Sequence, residues 1–405
     1  MKSTSIKFLL TLCLCASAVN TIAAKTSPPK MISLKSVLNA DGSVKAGAEG
    51  VLSPGEANML VNERNEPLFT AEDLEGADVS IMLVVNGKLY VGGRFKKADR
   101  RVVNNVAVWD GAKWSGLGKG VDGTVKAMCA MGNDIIVAGD FSYVDKSDDS
   151  PGIEANRLAR WDGKKWHTFA KVNIDREIFA LASDGKLLYA GGNFKKIEDK
   201  IPAASVAMWD GKKWSAVGGS KFDKTVLAMT CIGKTLYVGG FFTLIGDEPA
   251  ANMAMWDGKV WTEVGDKGLD NTVKVLANDG KNVYAGGGFS KSGDGTDVKG
   301  LAMWDGKKWS SVGDGLDQGV SSIFSDGGKI YVTGQFRRAG GNATYMVAGW
   351  DGTAWSMTFP EVRYGNFKTA AFYNGAIHGS GMLYDSDFKG GIVRWNGSAW
   401  EPLSK

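Results

Sequence analysis

Side chains suited to redox or metal chemistry are scarce in this chain. Its 405 residues include four cysteines and two histidines. Cys13 and Cys15 lie in a leader described below, so Cys129 and Cys231 are the one pair a disulfide could use. Charge of one sign is equally scarce: the formal net charge is +4, falling to about +2 once Lys2 and Lys7 leave, which gives no electrostatic case for nucleic acid or a membrane surface. Long hydrophobic runs are missing too. The apolar stretch from Phe8 to Ala18 is well short of the ~20 residues of a bilayer span, which argues against membrane insertion. The oxygen-rich segments Asp294-Gly-Thr-Asp297 and Asp145, Asp148, Asp149 lack the alternating carboxylates and closing Glu of an EF-hand loop. Neither a metal nor a cofactor is called for.

What is present begins with a processing signal. Lys2 and Lys7 precede the apolar run, and small residues ending at Ala23-Ala24 precede Lys25, the pattern of a secretory leader spanning 1–24. Leu12 and Leu14 stand where a lipidation site needs a small residue. The expected product is therefore secreted, periplasmic or at the cell surface, without lipid.

Glycine is abundant, with 55 copies, and 14 tryptophans fall into seven pairs. The pairs are written WDGAKW at 109, WDGKKW at 161, 209 and 304, WDGKVW at 256, WDGTAW at 350 and WNGSAW at 395. Each follows a glycine-pair element ending in Phe95, Phe141, Phe194, Phe242, Phe289, Phe336 or Leu383, spaced 46, 53, 48, 47, 47 and 47 residues apart. A period near 47 suits a four-stranded propeller blade. Each copy divides accordingly, for example into VLAMTCI, TLYVGGFF, NMAMW and KVWTEVG. The fold class is thus all-β, a seven-bladed β-propeller of four-stranded antiparallel blades over 76–405. Residues 25–75 contain no Trp and no glycine pair, and form an extension that is not a blade: an edge strand or a short helix.

Asp-Gly between β-prone residues is the preferred two-residue type I′ hairpin loop. Such a loop would set Trp214 opposite Ala207 and diagonal to Trp209. Asn396-Gly397 in the seventh copy points to a turn role rather than a chemical one. The alanine two residues before the first Trp, in six copies of seven, gives the indole a small neighbour. All 14 indoles are used in packing, leaving none for a separate sugar-stacking platform. The glycine pair implies close approach by an indole or a neighbouring blade. Cys129 and Cys231 sit on first strands two blades apart and face opposite ways, so both are expected to be buried free thiols.

The hydrophobic run ending in Gly-Gly, with a Trp hairpin about 14 residues later, resembles the kelch and galactose-oxidase type of propeller. The fuller form, GGxF then AxWDGxxW then a GLD-like turn, is similar to the repeats of Rax-type cortical marker proteins and their bacterial counterparts. The resemblance implies a propeller, and this class includes enzymes, adhesins and scaffolds. A copper oxidase of this class needs two histidines and a cross-linked tyrosine and cysteine. Here His378 replaces a strand tyrosine and His167 a serine, both as parts of the scaffold. A sialidase-type Asp box is one residue out of spacing.

Function would then live in the variable loops. Those joining strands two to three and four to one share one face, and the tight turns share the other. Lys96, Lys97, Lys195, Lys196, Arg337 and Arg338 follow the glycine element and would form a basic arc for an anionic glycan or an acidic protein surface. The expectation is an exported, non-catalytic binding or scaffold module with no catalytic residue. The alternative is a polysaccharide hydrolase or lyase using Asp145 and Asp148 of the longest loop.

Overall fold

A computed structural model describes residues 31–32, 51–52 and 78–403, except 99–100, 170–172, 199, 220, 327, 357–364 and 384–390. The leader lies outside the described residues, as does most of the extension. In the unit up to Glu72, Met31–Ile32 pairs in parallel with Val51–Leu52.

The unit from Asp73 onward is a seven-bladed β-propeller. Every blade is one contiguous repeat of four antiparallel strands in simple up-and-down order. The first uses Asp78–Val85, Lys88–Arg94, Val106–Trp109 and Trp114–Gly116, and the last Gly365–Tyr373, Ala376–Leu383, Ile392–Trp395 and Trp400–Pro402. First strands neighbour one another around the ring, and those of blades one and seven also meet. Closure therefore needs no shared strand. It rests on Val79, Met82, Leu89 and Val91 packing with Ala371, Tyr373, Ile392 and Leu403, beside an ion pair between Lys368 and Asp78. Among the described residues no helix is long and apolar enough to cross a membrane.

The Trp hairpins correct the expected register. Trp209 pairs directly with Trp214, and Ala207 with Ala216. The connection is a four-residue loop rather than a type I′ turn. Asp210 Oδ1 accepts the backbone N–H groups of Lys212 (2.8 Å) and Lys213 (2.9 Å), so the side chain closes the turn. Only the glycine needs positive φ, +95° at Gly211. Asn396 makes the same two bonds, to Ser398 and Ala399, because only its oxygen is required. The paired indoles tilt with centroids 5.3–5.6 Å apart. Several reach the preceding blade: Trp166 Nε1 donates to Leu117 O at 2.7 Å and Trp309 Nε1 to Val264 O at 3.0 Å.

The two glycines of each pair serve different neighbours. A Cβ on Gly92 would lie 2.6 Å from Val125 of blade two, and one on Gly239 2.4 Å from Val273 of blade five. The second glycine faces its own blade instead of an indole. In all seven blades the first strand carries one extra residue, Ser80, Lys126, Phe179, Leu227, Lys274, Ser321 or Lys368, forming a β-bulge. The bulge drives a first-strand carbonyl onto the second glycine. At Gly93 and Gly192 a Cβ would stand 2.0 Å from the oxygens of Asp78 and Glu177.

Among the described residues Cys129 and Cys231 are both free; Cys129 is buried and Cys231, against expectation, is only half-buried. They flank blade three from opposite sides, and burial pushes the Cys231 thiol up to about 12.

Candidate functional site

The strand-two-to-three loops are built structures rather than plain connections. In five blades they fold into short hairpins: Lys97–Ala98 with Arg101–Val102, Tyr143–Val144 with Ile153–Glu154, Lys196–Ile197 with Ile201–Pro202, Leu244–Ile245 with Glu248–Pro249, and Arg338–Ala339 with Asn342–Ala343. Each of the last four is tied at its base by an aspartate from the loop leading into its own blade. Asp175 Oδ1 accepts the N–H groups of Lys195 (2.9 Å) and Lys196 (3.1 Å), and Asp317 Oδ1 those of Arg337 (2.8 Å) and Arg338 (3.0 Å). Asp122 and Asp223 do the same for Ser142-Tyr143 and Thr243-Leu244. Sequence reasoning missed this device, although a signal exists: each of these aspartates stands 19 residues before the Phe of the following glycine element.

The six cations of the expected arc are exposed and occupy equivalent hairpin positions on blades one, three and six. They share a face but do not converge on one pocket. Asp145 and Asp148 part company. Asp145, held at φ +54°, accepts the N–H of Lys119 at 2.7 Å, while its own N–H donates to Gly120 O at 3.0 Å. Its carboxylate is thus committed to pinning the loop from blade one. Asp148 is exposed.

One cleft brings some of these residues together. It measures 940 Å³, lies between blades one and two, and is lined by Lys96 and Asp148 of the expected set together with Arg94, Lys119, Lys146 and Asp122. A smaller cavity of 340 Å³ lies among the first strands of blades one, five, six and seven, lined by Val84, Phe324, Phe372 and Lys368. No expected site residue lines it.

The histidines stay apart from both. His378 is buried, its Nδ1 3.2 Å from Ala376 O, and desolvation pushes its pKa down to about 4. His167 Nε2 lies 2.6 Å from Asp162 Oδ2 within one Trp hairpin. Among the described residues no three His, Cys, Asp or Glu side chains are grouped to hold a metal. Asp294 is satisfied locally by Ser292 Oγ and Thr296 N–H.

The chain's fold is found in solved structures. It is similar to the extracellular domain of a protein described as a hybrid two-component system from B. thetaiotaomicron, at 10% identity and TM-score 0.50, covering 80% of this chain and 38% of that one. This chain thus spans well under half of that neighbour. It also aligns with the computationally designed Ika8 protein (12% identity, TM-score 0.47, 78% and 83% covered) and with the WD40 propeller domain of Doa1 (13%, 0.45, 79% and 96%). No family model and no curated protein matches the sequence. At 10% identity the likeness to the extracellular domain, at TM-score 0.50, speaks for the fold alone.

Proposed function

We propose that the protein is an exported, non-catalytic binding module of kelch-like type that presents its loop-face hairpins to a glycan or protein partner. The observation that carries this reading is the contrast between the two faces. On the turn face, the same capped hairpin recurs, and its Asp or Asn oxygen is consumed by two backbone amides in every blade. On the loop face, four hairpins of differing sequence are each tied at the base by an Asp oxygen on two backbone amides, and much of their outer surface is exposed. Four exposed apolar side chains, Val102, Ile153, Phe241 and Leu244, stand there beside the exposed cations. Rigid display of mixed apolar and charged groups reduces the ordering cost of binding. Commitment of the Asp145 carboxylate to Lys119 counts against its use in hydrolysis.

Export is supported by the leader over 1–24 and is checked by N-terminal sequencing of secreted protein, which is expected to begin at Lys25. A glycan array and an extracellular-protein array, paired with polysaccharide hydrolysis assays, test the function. Binding without turnover is the expected result. Turnover that disappears in Asp148→Asn would replace this reading with that of a hydrolase or lyase.

A further inference from the structure

The cleft between blades one and two is built to keep its cations for something outside the protein. Blade one contributes Arg94 and Lys96, the connecting loop Lys119, and the blade-two hairpin Lys146. Among the described residues none of the four forms an ion pair.

The polar main chain around them is already used. Lys96 O accepts the N–H groups of Val103 and Asn104, and Asn104 Nδ2 donates to Lys119 O at 2.8 Å. Asn105 Nδ2 donates to Val121 O at 2.8 Å, and Lys119 N–H is taken by Asp145. Of the two carboxylates in the cleft, Asp122 is occupied by the Ser142 and Tyr143 amides. What remains for a ligand is four cations against the exposed carboxylate of Asp148, with the exposed Val102 beside them and the Lys146 ammonium resting 4.6 Å from the Tyr143 ring centroid, so the free charge of the lining is predominantly positive.

This pattern discriminates between ligand classes. A peptide adding itself as a strand needs open backbone donors and acceptors, and those around Lys96 and Lys119 are engaged. A neutral sugar held by stacking needs an exposed ring, and the lining Phe95 is buried at 6% exposure. An acidic sugar needs neither. The volume of 940 Å³ falls in the ~300–1,000 Å³ range of ligand pockets, room for a short oligosaccharide segment. We infer that this cleft binds a segment of carboxylate-bearing polysaccharide, with Lys96, Lys119 and Lys146 pairing with its carboxylates and Asp145 positioning Lys119. The inference rests on the loop face being a binding surface, and narrows it to one site and one ligand class.

The test uses the full chain with oligogalacturonate as probe, and polyglutamate as its polypeptide counterpart. The triple variant Lys96→Ser, Lys119→Ser, Lys146→Ser is expected to bind oligogalacturonate about tenfold more weakly or worse, with a flatter salt dependence. A control variant on the turn face, Lys164→Ser, Lys165→Ser, Lys212→Ser, Lys213→Ser, is expected to change it less than about twofold, and thermal unfolding is expected to be the same for both because the changed residues are exposed. Equal losses in the two variants would overturn the cleft in favour of diffuse surface charge. Tighter binding of polyglutamate would overturn the ligand class, and no binding of oligogalacturonate by the unaltered chain would overturn the assignment outright. The broader binding-module reading fails separately, when neither array yields a ligand.

Discussion

At the scale of single residues, the protein is governed by how little space its repeats leave. Two glycines of one repeat, Gly192 ending a strand and Gly211 in the Trp hairpin turn, should respond very differently to one added methyl group. Gly192→Ala places a Cβ against the Glu177 carbonyl at 2.0 Å, where backbone must move, and is expected to cost about 3 kcal/mol or more. Gly211→Ala meets open space at φ +95° and is expected to cost only the ~1–2 kcal/mol of a left-handed alanine. Urea denaturation of the two variants checks the ranking. His378 offers a second residue-scale test. Burial lowers its folded pKa from 6.5 to about 4, so between those values the unfolded chain binds a proton that the folded chain does not. The stabilising contribution is complete above pH 6.5, declines as pH falls toward 4, and amounts to ~3 kcal/mol in total. Denaturant midpoints measured from pH 7.5 to 4 should show this slope. His378→Tyr, carrying the residue of five other blades, should lack it.

At the scale of elements, four of the five loop-face hairpins depend on one aspartate oxygen each. Asp317 holds the amides of Arg337 and Arg338 from 20 and 21 residues away, a tertiary analogue of a helix cap, which contributes ~1 kcal/mol. Replacing Asp317 with Ala is expected to speed hydrogen exchange at those two amides about tenfold while barely moving the global melting temperature, because the hairpin opens locally. The turn-face hairpins obey the same chemistry. Asp351 accepts the N–H groups of Ala354 and Thr353, which lower its pKa to about 2. One motif, an Asp or Asn oxygen receiving two consecutive amides, thus shapes the turn face of all seven blades and the loop face of blades two, three, four and six.

At the scale of the whole molecule, the ring closes by surface complementarity. Leu403→Ala removes apolar contact from the seam between blades seven and one, and is expected to cost about 2–4 kcal/mol. Lys368→Met breaks the ion pair with Asp78, whose side chains are roughly half exposed, and is expected to cost no more than ~1 kcal/mol. Urea unfolding of both variants gives the comparison; a larger loss for Lys368→Met would show that the latch is ionic. Sequence by itself determined the blade count, the four-strand division and contiguous closure, because a 47-residue period of alternating apolar runs has one economical way to bury its indoles. It also marked the cations of the loop face. It misjudged the Trp register, since Asp capping and type I′ geometry share the same Asp-Gly letters and differ only in which amides the carboxylate reaches. Only the tertiary structure decided that Lys96, Lys119, Lys146 and Asp148 share one cleft. They come from separate segments of two blades, and their approach depends on how one blade's loop leans on the next blade's hairpin, a contact with no periodic trace in the chain.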